Sequence, residues 1–208
     1  MEYLLPENGD HIFEQSGEEQ DLLEVDPLGY TLHTEKLSTI FRWELYYSGY
    51  KHAADLLIDK APEEFSPDEL LYPIVALYRH FVEMRLKGLL ARISELGEDT
   101  INLESLGKHN IGTYWDDLKI HFHHFKPPLP PDQVETVEKC IHEFSKLDPE
   151  SQSSRYPWDK KGTTSFSDLQ AVNIKHLKIT IEKLDNFFDI IGIAIDLEQE
   201  WRQEQTSL

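Results

Sequence analysis

A single cysteine, Cys140, stands in 208 residues. One thiol forms no intrachain disulfide framework and fits a reducing, cytoplasmic setting. Nowhere do about 18 apolar residues run together, so neither a spanning helix nor a membrane partner is expected. The first residues lack both a basic start and an apolar core, so no secretory signal is expected. Basic residues are scarce as well: 20 Lys and Arg stand against 39 Asp and Glu, a formal net charge of −19. A surface that binds nucleic acid throughout needs the opposite balance, which leaves room only for RNA or a nucleotide on a small local basic patch. Alternating β-branched runs and internal repeats are missing, whereas helical periods are long. The fold class is therefore all-α.

What is present is organised around Tyr72 to Ile93. At 100° per residue, Tyr72, Val75, Val82, Leu86, Leu90 and Ile93 form one apolar stripe, and Leu70, Ile74, Leu77 and Phe81 form a nearly opposite one. A helix with two apolar faces takes partners on both sides and belongs in the middle of a bundle. Ser66-Pro67-Asp68-Glu69 has the chemistry of its start, and Gly97 that of its stop. Arg79 falls inside the first stripe and Glu83 at its edge, one turn later. Opposite charges beside a core seam form either a buried ion pair or part of a site.

Two regions make up the chain. Residues 1–33 carry nine acidic residues and no Lys or Arg, so they read as an extended acidic arm. The arm is either a solubilising segment or a cover for a basic groove, anchored through Leu22, Leu23, Val25, Leu28 and Tyr30. Residues 34–208 read as a helical bundle. Thr34 to Ala61 forms its first helix, with Ile40, Trp43, Tyr47, Tyr50, Ala54 and Leu57 inward. A shorter helix spans Tyr114 to Phe125, with Trp115, Leu118, Phe122 and Phe125 inward. His121, His123 and His124 lie there at spacings of two and one. Zinc prefers two His four apart on a helical face, so these three read as a solvated flank and no metal is expected. After the Pro127–Pro131 break, Asp132 opens a further helix that ends before Pro149. Cys140 lies in it beside the seam, as core or flank rather than nucleophile.

Residues 148–167 are long for a connector, and Arg155, Tyr156, Trp158, Lys160 and Lys161 make them an ordered excursion onto the bundle. Asp159-Lys-Lys-Gly162 suits a turn with left-handed glycine. Ser167 and Asp168 can cap the last helix, which runs to about Gln203. Leu177, Ile181, Leu184, Phe188, Ile191 and Ile195 step by three and four along its seam. Phe187, Ile190 and Ile193 lie outside that seam, available to a third helix or to a second copy of the chain.

Several of these segments, taken in order, resemble one family. They are Tyr50-Lys-His-Ala-Ala-Asp-Leu-Leu, the run from Tyr72 through Arg79-His80 and Glu83 to Lys87-Gly88-Leu89, His109-Asn110 before a Trp-bearing helix, Arg155-Tyr-Pro-Trp-Asp-Lys-Lys-Gly, and Asn173-Ile-Lys-His-Leu. Over roughly residues 35–195 the chain resembles HEPN-like proteins, a bacterial and phage-associated helical-bundle group. The resemblance implies a HEPN-like bundle, a homodimer or a defence or antitoxin partner protein, and a role in antiviral defence or a toxin–antitoxin system. Many members are metal-independent ribonucleases without a cofactor, and others are non-catalytic binding modules. Catalytic members place a His four to six residues after an Arg and a polar residue. Here Arg79-His80 begins that pattern, and Glu83, Met84 and Arg85 follow without completing it.

Metal-free RNA cleavage needs a base, an acid and cations for the developing phosphorane charge. His109 and His80 exchange protons near neutrality. Arg79 and Arg155 suit a phosphate, and Glu83, Asn110, Tyr156, Lys160 and Lys161 complete the candidate set. These residues would meet where the central helix, the His109 turn and the Arg155 loop converge. The alternative is a non-catalytic protein-interaction or nucleotide-binding module, in which Arg79 and Glu83 are a structural pair and Glu83 also holds Arg155 or its loop.

Overall fold

In the computed structural model the chain divides into Met1–Leu37 and Ser38–Leu208. The structure describes residues 39–64, 67–97, 109–148, 151, 153–158, 162, 164–166 and 171–206. The acidic arm, Lys160, Lys161 and the Ser167-Asp168 cap lie outside the described residues.

Among the described residues five α-helices follow in order: α1 (Thr39–Glu64), α2 (Pro67–Glu95), α3 (Ile111–Lys119), α4 (Pro131–Leu147) and α5 (Ile174–Thr206). A 3-10 turn at Phe122–His124 separates α3 from α4. Among the described residues there is no strand, only an isolated antiparallel bridge between Trp158 and Thr164. The all-α class holds.

Helix α2 begins with Pro67 and the acidic first turn Asp68-Glu69, where the missing proline N–H and the negative charges cost nothing at a helix start. It ends where Leu96 N–H and Gly97 N–H reach back to Ile93 and Ser94, with Gly97 in the left-handed region at φ +81°. Both of its apolar stripes are used. Val75, Val82, Leu86, Leu90 and Ile93 are buried, and so are Ile74 and Phe81 on the other side. Tyr72 departs from the pattern: it is exposed near the helix start, with its ring 5.8 Å from Phe166. Helix α1 packs on α2 at Gly88, where a Cβ would meet the Trp43 side chain at 3.5 Å, an ordinary van der Waals distance.

Helix α3 starts three residues earlier than its apolar pattern suggests and gives way to the 3-10 turn at Phe122. Asn110 sets the start, its side chain accepting from Thr113 N–H at 3.2 Å. Trp115 is fully buried, edge-on to Phe122 at 5.6 Å and near Phe187 at 6.4 Å. Phe187 thus packs within the bundle, whereas Ile190 and Ile193 are exposed on α5. Helix α5 begins at Ile174, later than expected, with the Asn173 side chain accepting from His176 N–H. Its seam buries Ile181, Leu184, Phe188, Ile191 and Ile195. Gly162 takes the left-handed conformation, at φ +82°, while residues 159–161 of the expected turn lie outside the described residues. No helix among the described residues is long and apolar enough to cross a membrane.

Candidate functional site

Three charges on α2 share one face because they sit four residues apart: Arg79, Glu83 and Lys87. All three are buried, Arg79 completely. Glu83 accepts from Arg79 Nη1 at 3.2 Å and from Lys87 Nζ at 2.7 Å. Burial pushes the Glu83 carboxyl up, but Lys87, His109 and Arg79 together outweigh it, and the net shift is downward. The carboxylate is therefore ionised at neutral pH.

Arg79 spends its three nitrogens inward. Nη1 goes to Glu83, Nη2 donates to the His109 carbonyl, and Nε donates to the Asp148 carbonyl at 3.4 Å. One guanidinium thus ties α2 to the turn before α3 and to the connector after α4. Burial lowers its pKa, Glu83 and Asp148 oppose that, and a guanidinium starts high enough to remain charged. Asp148, itself buried, organises the connector: its carboxylate accepts from Ser153 N–H, Ser154 N–H and the Ser154 hydroxyl, at 2.9, 3.3 and 2.6 Å.

His109 stands above the triad. Its Nδ1 lies 2.9 Å from Glu83 Oε1, and its side chain is 52% exposed. An ionised carboxylate only accepts, so in the neutral ring the proton sits on Nδ1 and Nε2 carries the lone pair. His80, half-buried one residue after Arg79, meets the Tyr50 ring edge-on at 4.3 Å. Burial lowers its pKa; Glu83 opposes this, while Lys87, Arg155 and Arg79 add to it. Arg155 is exposed, and its Nε donates to the Ser151 carbonyl.

The α2 face, the His109 turn and the Arg155 connector are thus linked, as the sequence leads one to expect. The links differ from those foreseen. Glu83 bonds Lys87 and His109, not Arg155, among the described contacts. Asn110, a member of the candidate set, uses its side-chain oxygen for the α3 cap and for the Ser145 hydroxyl at 3.2 Å. Tyr156 is exposed beside Arg155, and its carbonyl accepts from the Ser165 hydroxyl. Lys160 and Lys161 lie outside the described residues.

The expectation of a solvated histidine flank needs correction at His121, which is buried; His123 is exposed and His124 half-buried. The turn after α3 carries His121 under the bundle while the 3-10 segment swings the next two outward. Burial raises the Cys140 thiol pKa and Glu143 adds to it, consistent with an inert thiol. Lys87 and Asp148 escaped the sequence reading. Lys87 was legible as the third member of an Arg-Glu-Lys ladder at steps of four. Asp148 was not, because its role depends on a connector folding back onto its own carboxylate.

No family model, curated protein or solved structure matches the chain.

Proposed function

We propose that this chain is a HEPN-like protein of a prokaryotic defence or toxin–antitoxin system that cleaves RNA without a metal, at a non-standard site centred on His109. The observation that carries this reading is the half-exposed His109 ring held through Nδ1 by the buried, ionised Glu83. A carboxylate behind an imidazole fixes the ring and its tautomer, which is what a general base needs. His109 Nε2 takes the proton of a 2′-hydroxyl; that oxygen attacks the adjacent phosphorus, and the bond to the 5′-oxygen breaks. A 2′,3′-cyclic phosphate and a 5′-hydroxyl result. Water supplies the proton to the leaving oxygen, because burial holds the His80 pKa below its ordinary value and its ring is mostly neutral at pH 7. Arg155 and its neighbour Tyr156, both exposed, meet the phosphate and the strand. Arg79 and Lys87 act through Glu83 as positioning residues.

The test is turnover of single-stranded RNA in a chelating buffer. His109→Ala lowers it by roughly 10²–10⁴-fold, the usual worth of a positioned base. Wild-type protein inert on messenger and transfer RNA overturns the reading.

One observation favours a second reading, a non-catalytic interaction module. All three Arg79 nitrogens hold groups of the protein itself, two of them backbone carbonyls of the connectors. In that case the cluster is a clamp. Arg79 variants then lose stability, and His109→Ala changes neither RNA nor growth.

A further inference from the structure

A second cluster lies between α3 and α4, built from Asp116 on α3 and from Glu138 and His142 one turn apart on α4. His142 Nε2 is 3.5 Å from Asp116 Oδ1 and 3.8 Å from Glu138 Oε1. One donor atom from each residue lies within 4.8 Å of the others. The separations from His142 exceed the ordinary 2.7–3.2 Å hydrogen-bond range, so three donors converge without closing on one another. They suit a shared cation instead: with metal–ligand bonds of about 2.0–2.1 Å, the edges of a tetrahedron are about 3.3 Å. The imidazole is set for this by packing. Its Nδ1 lies 3.1 Å from where a Cβ on Gly112 would stand, so the ring rests on a residue with no side chain. Its Nε2 is the nitrogen nearest the carboxylates. Asp116 is exposed and Glu138 half-buried, which leaves a side open to water as the fourth ligand. Lys119 is the competing cation, its ammonium bonded to Glu138.

We propose that Asp116, Glu138 and His142 bind a divalent transition metal, zinc foremost because the donors are one imidazole and two carboxylates. The ion joins α3 to α4 and displaces Lys119 from Glu138.

The test is calorimetric titration of the full chain with zinc chloride in metal-free buffer. One saturable site is expected, weakened at least about tenfold by His142→Gln and by Asp116→Asn, since each removes one of three protein ligands. Lys119→Ala binds as tightly or more tightly, because the competing charge is gone. The double variant His123→Ala, His124→Ala retains the site. Cobalt(II) supplies a second readout: a tetrahedral absorption band that His142→Gln abolishes. Circular dichroism checks that each variant keeps its helices, and Asp116→Asn decides if His142→Gln does not. Absence of saturable uptake overturns the proposal. So does uptake that survives His142→Gln and Asp116→Asn, is weakened by Lys119→Ala, or disappears with the His123/His124 pair.

Discussion

Helix α2 carries two sets of cations with opposite designs. On one face Arg79 and Lys87 enclose Glu83, and all three are buried. On another face Arg85 and Arg92, seven residues apart, reach α5: Arg85 holds Asp185 at 3.2 Å and also Asp189, and Arg92 holds Asp196. Asp189 and Asp196 are 64% and 61% exposed. The first set binds connectors, whose backbone carbonyls have no helical partner. The second binds helix to helix across a seam that apolar packing already closes. A buried charge that loses its partner cannot be rescued by water, whereas an exposed aspartate can. The same residue types therefore have different consequences on the two faces.

The largest expected effect lies in the buried set. Arg79→Met should lower the unfolding free energy by about 3 kcal/mol, because it takes one of three partners from buried Glu83 and leaves the His109 carbonyl contact unmade. Lys87 and His109 still hold Glu83, and Ser151 N–H still reaches the Asp148 carbonyl. Urea denaturation followed by circular dichroism measures it. A loss no larger than that from Asp189→Ala would erase the contrast. Arg85→Ala should fall between the extremes. Its guanidinium is buried, lies 4.4 Å from the Tyr47 ring centre and serves two aspartates, so about 2 kcal/mol is expected from lost packing and pairing. Asp196→Ala should cost the least, less than about 1 kcal/mol, as exposed pairs do, and added salt should shrink even that.

The two faces also answer pH with opposite signs. Glu83 has a folded pKa below its unfolded one. Its contribution is complete above the unfolded value, about 4.5, and is lost as pH falls through the lower folded value. His80, also lowered, adds destabilisation on the acid side as pH falls below its unfolded value near 6.5. Burial raises the Asp185 pKa, with Arg85 opposing, so Asp185 favours folding at low pH and less so as pH rises through its folded value. Denaturation midpoints taken from pH 3 to 8 should show a smaller acid-side loss in Glu83→Gln than in the wild type, measured relative to each protein at pH 7. Asp185→Asn should remove a penalty present at neutral pH. Parallel profiles for the two variants would contradict the assigned environments.

Much of the bundle could be read along the chain. The two stripes of α2, the α5 seam and the Gly97 stop are local patterns, and burial followed most of them, with Tyr72 exposed and Leu70, Leu77 and Leu177 half-buried. Boundaries failed at the caps: Asn110 starts α3 ahead of its apolar pattern, and Asn173 starts α5 later than the expected Ser167-Asp168 cap. Within the candidate site, the placement of Arg79 and Glu83 was legible because helical spacing alone sets it. Their partners were harder to read. His109 is 26 residues from Glu83 and the Asp148 carbonyl is 69 from Arg79, and no periodicity reaches that far. Asn110 and His121 show the limit most plainly. Asn110 was read for its chemistry and His121 as part of a solvated flank, and each took a structural place fixed by the turn around it.

By itself, then, the sequence determined an all-α chain with a central two-faced helix and an Arg-Glu-Lys ladder along it, because a repeat of 3.6 residues sets which side chains share a face. Only the tertiary structure decided which ladder charges are sealed, which histidine stands half in water on Glu83, and that an imidazole and two carboxylates from different helices converge beside Gly112. Those outcomes depend on where the connectors come to rest, and backbone carbonyls seeking donors carry no residue-type signature.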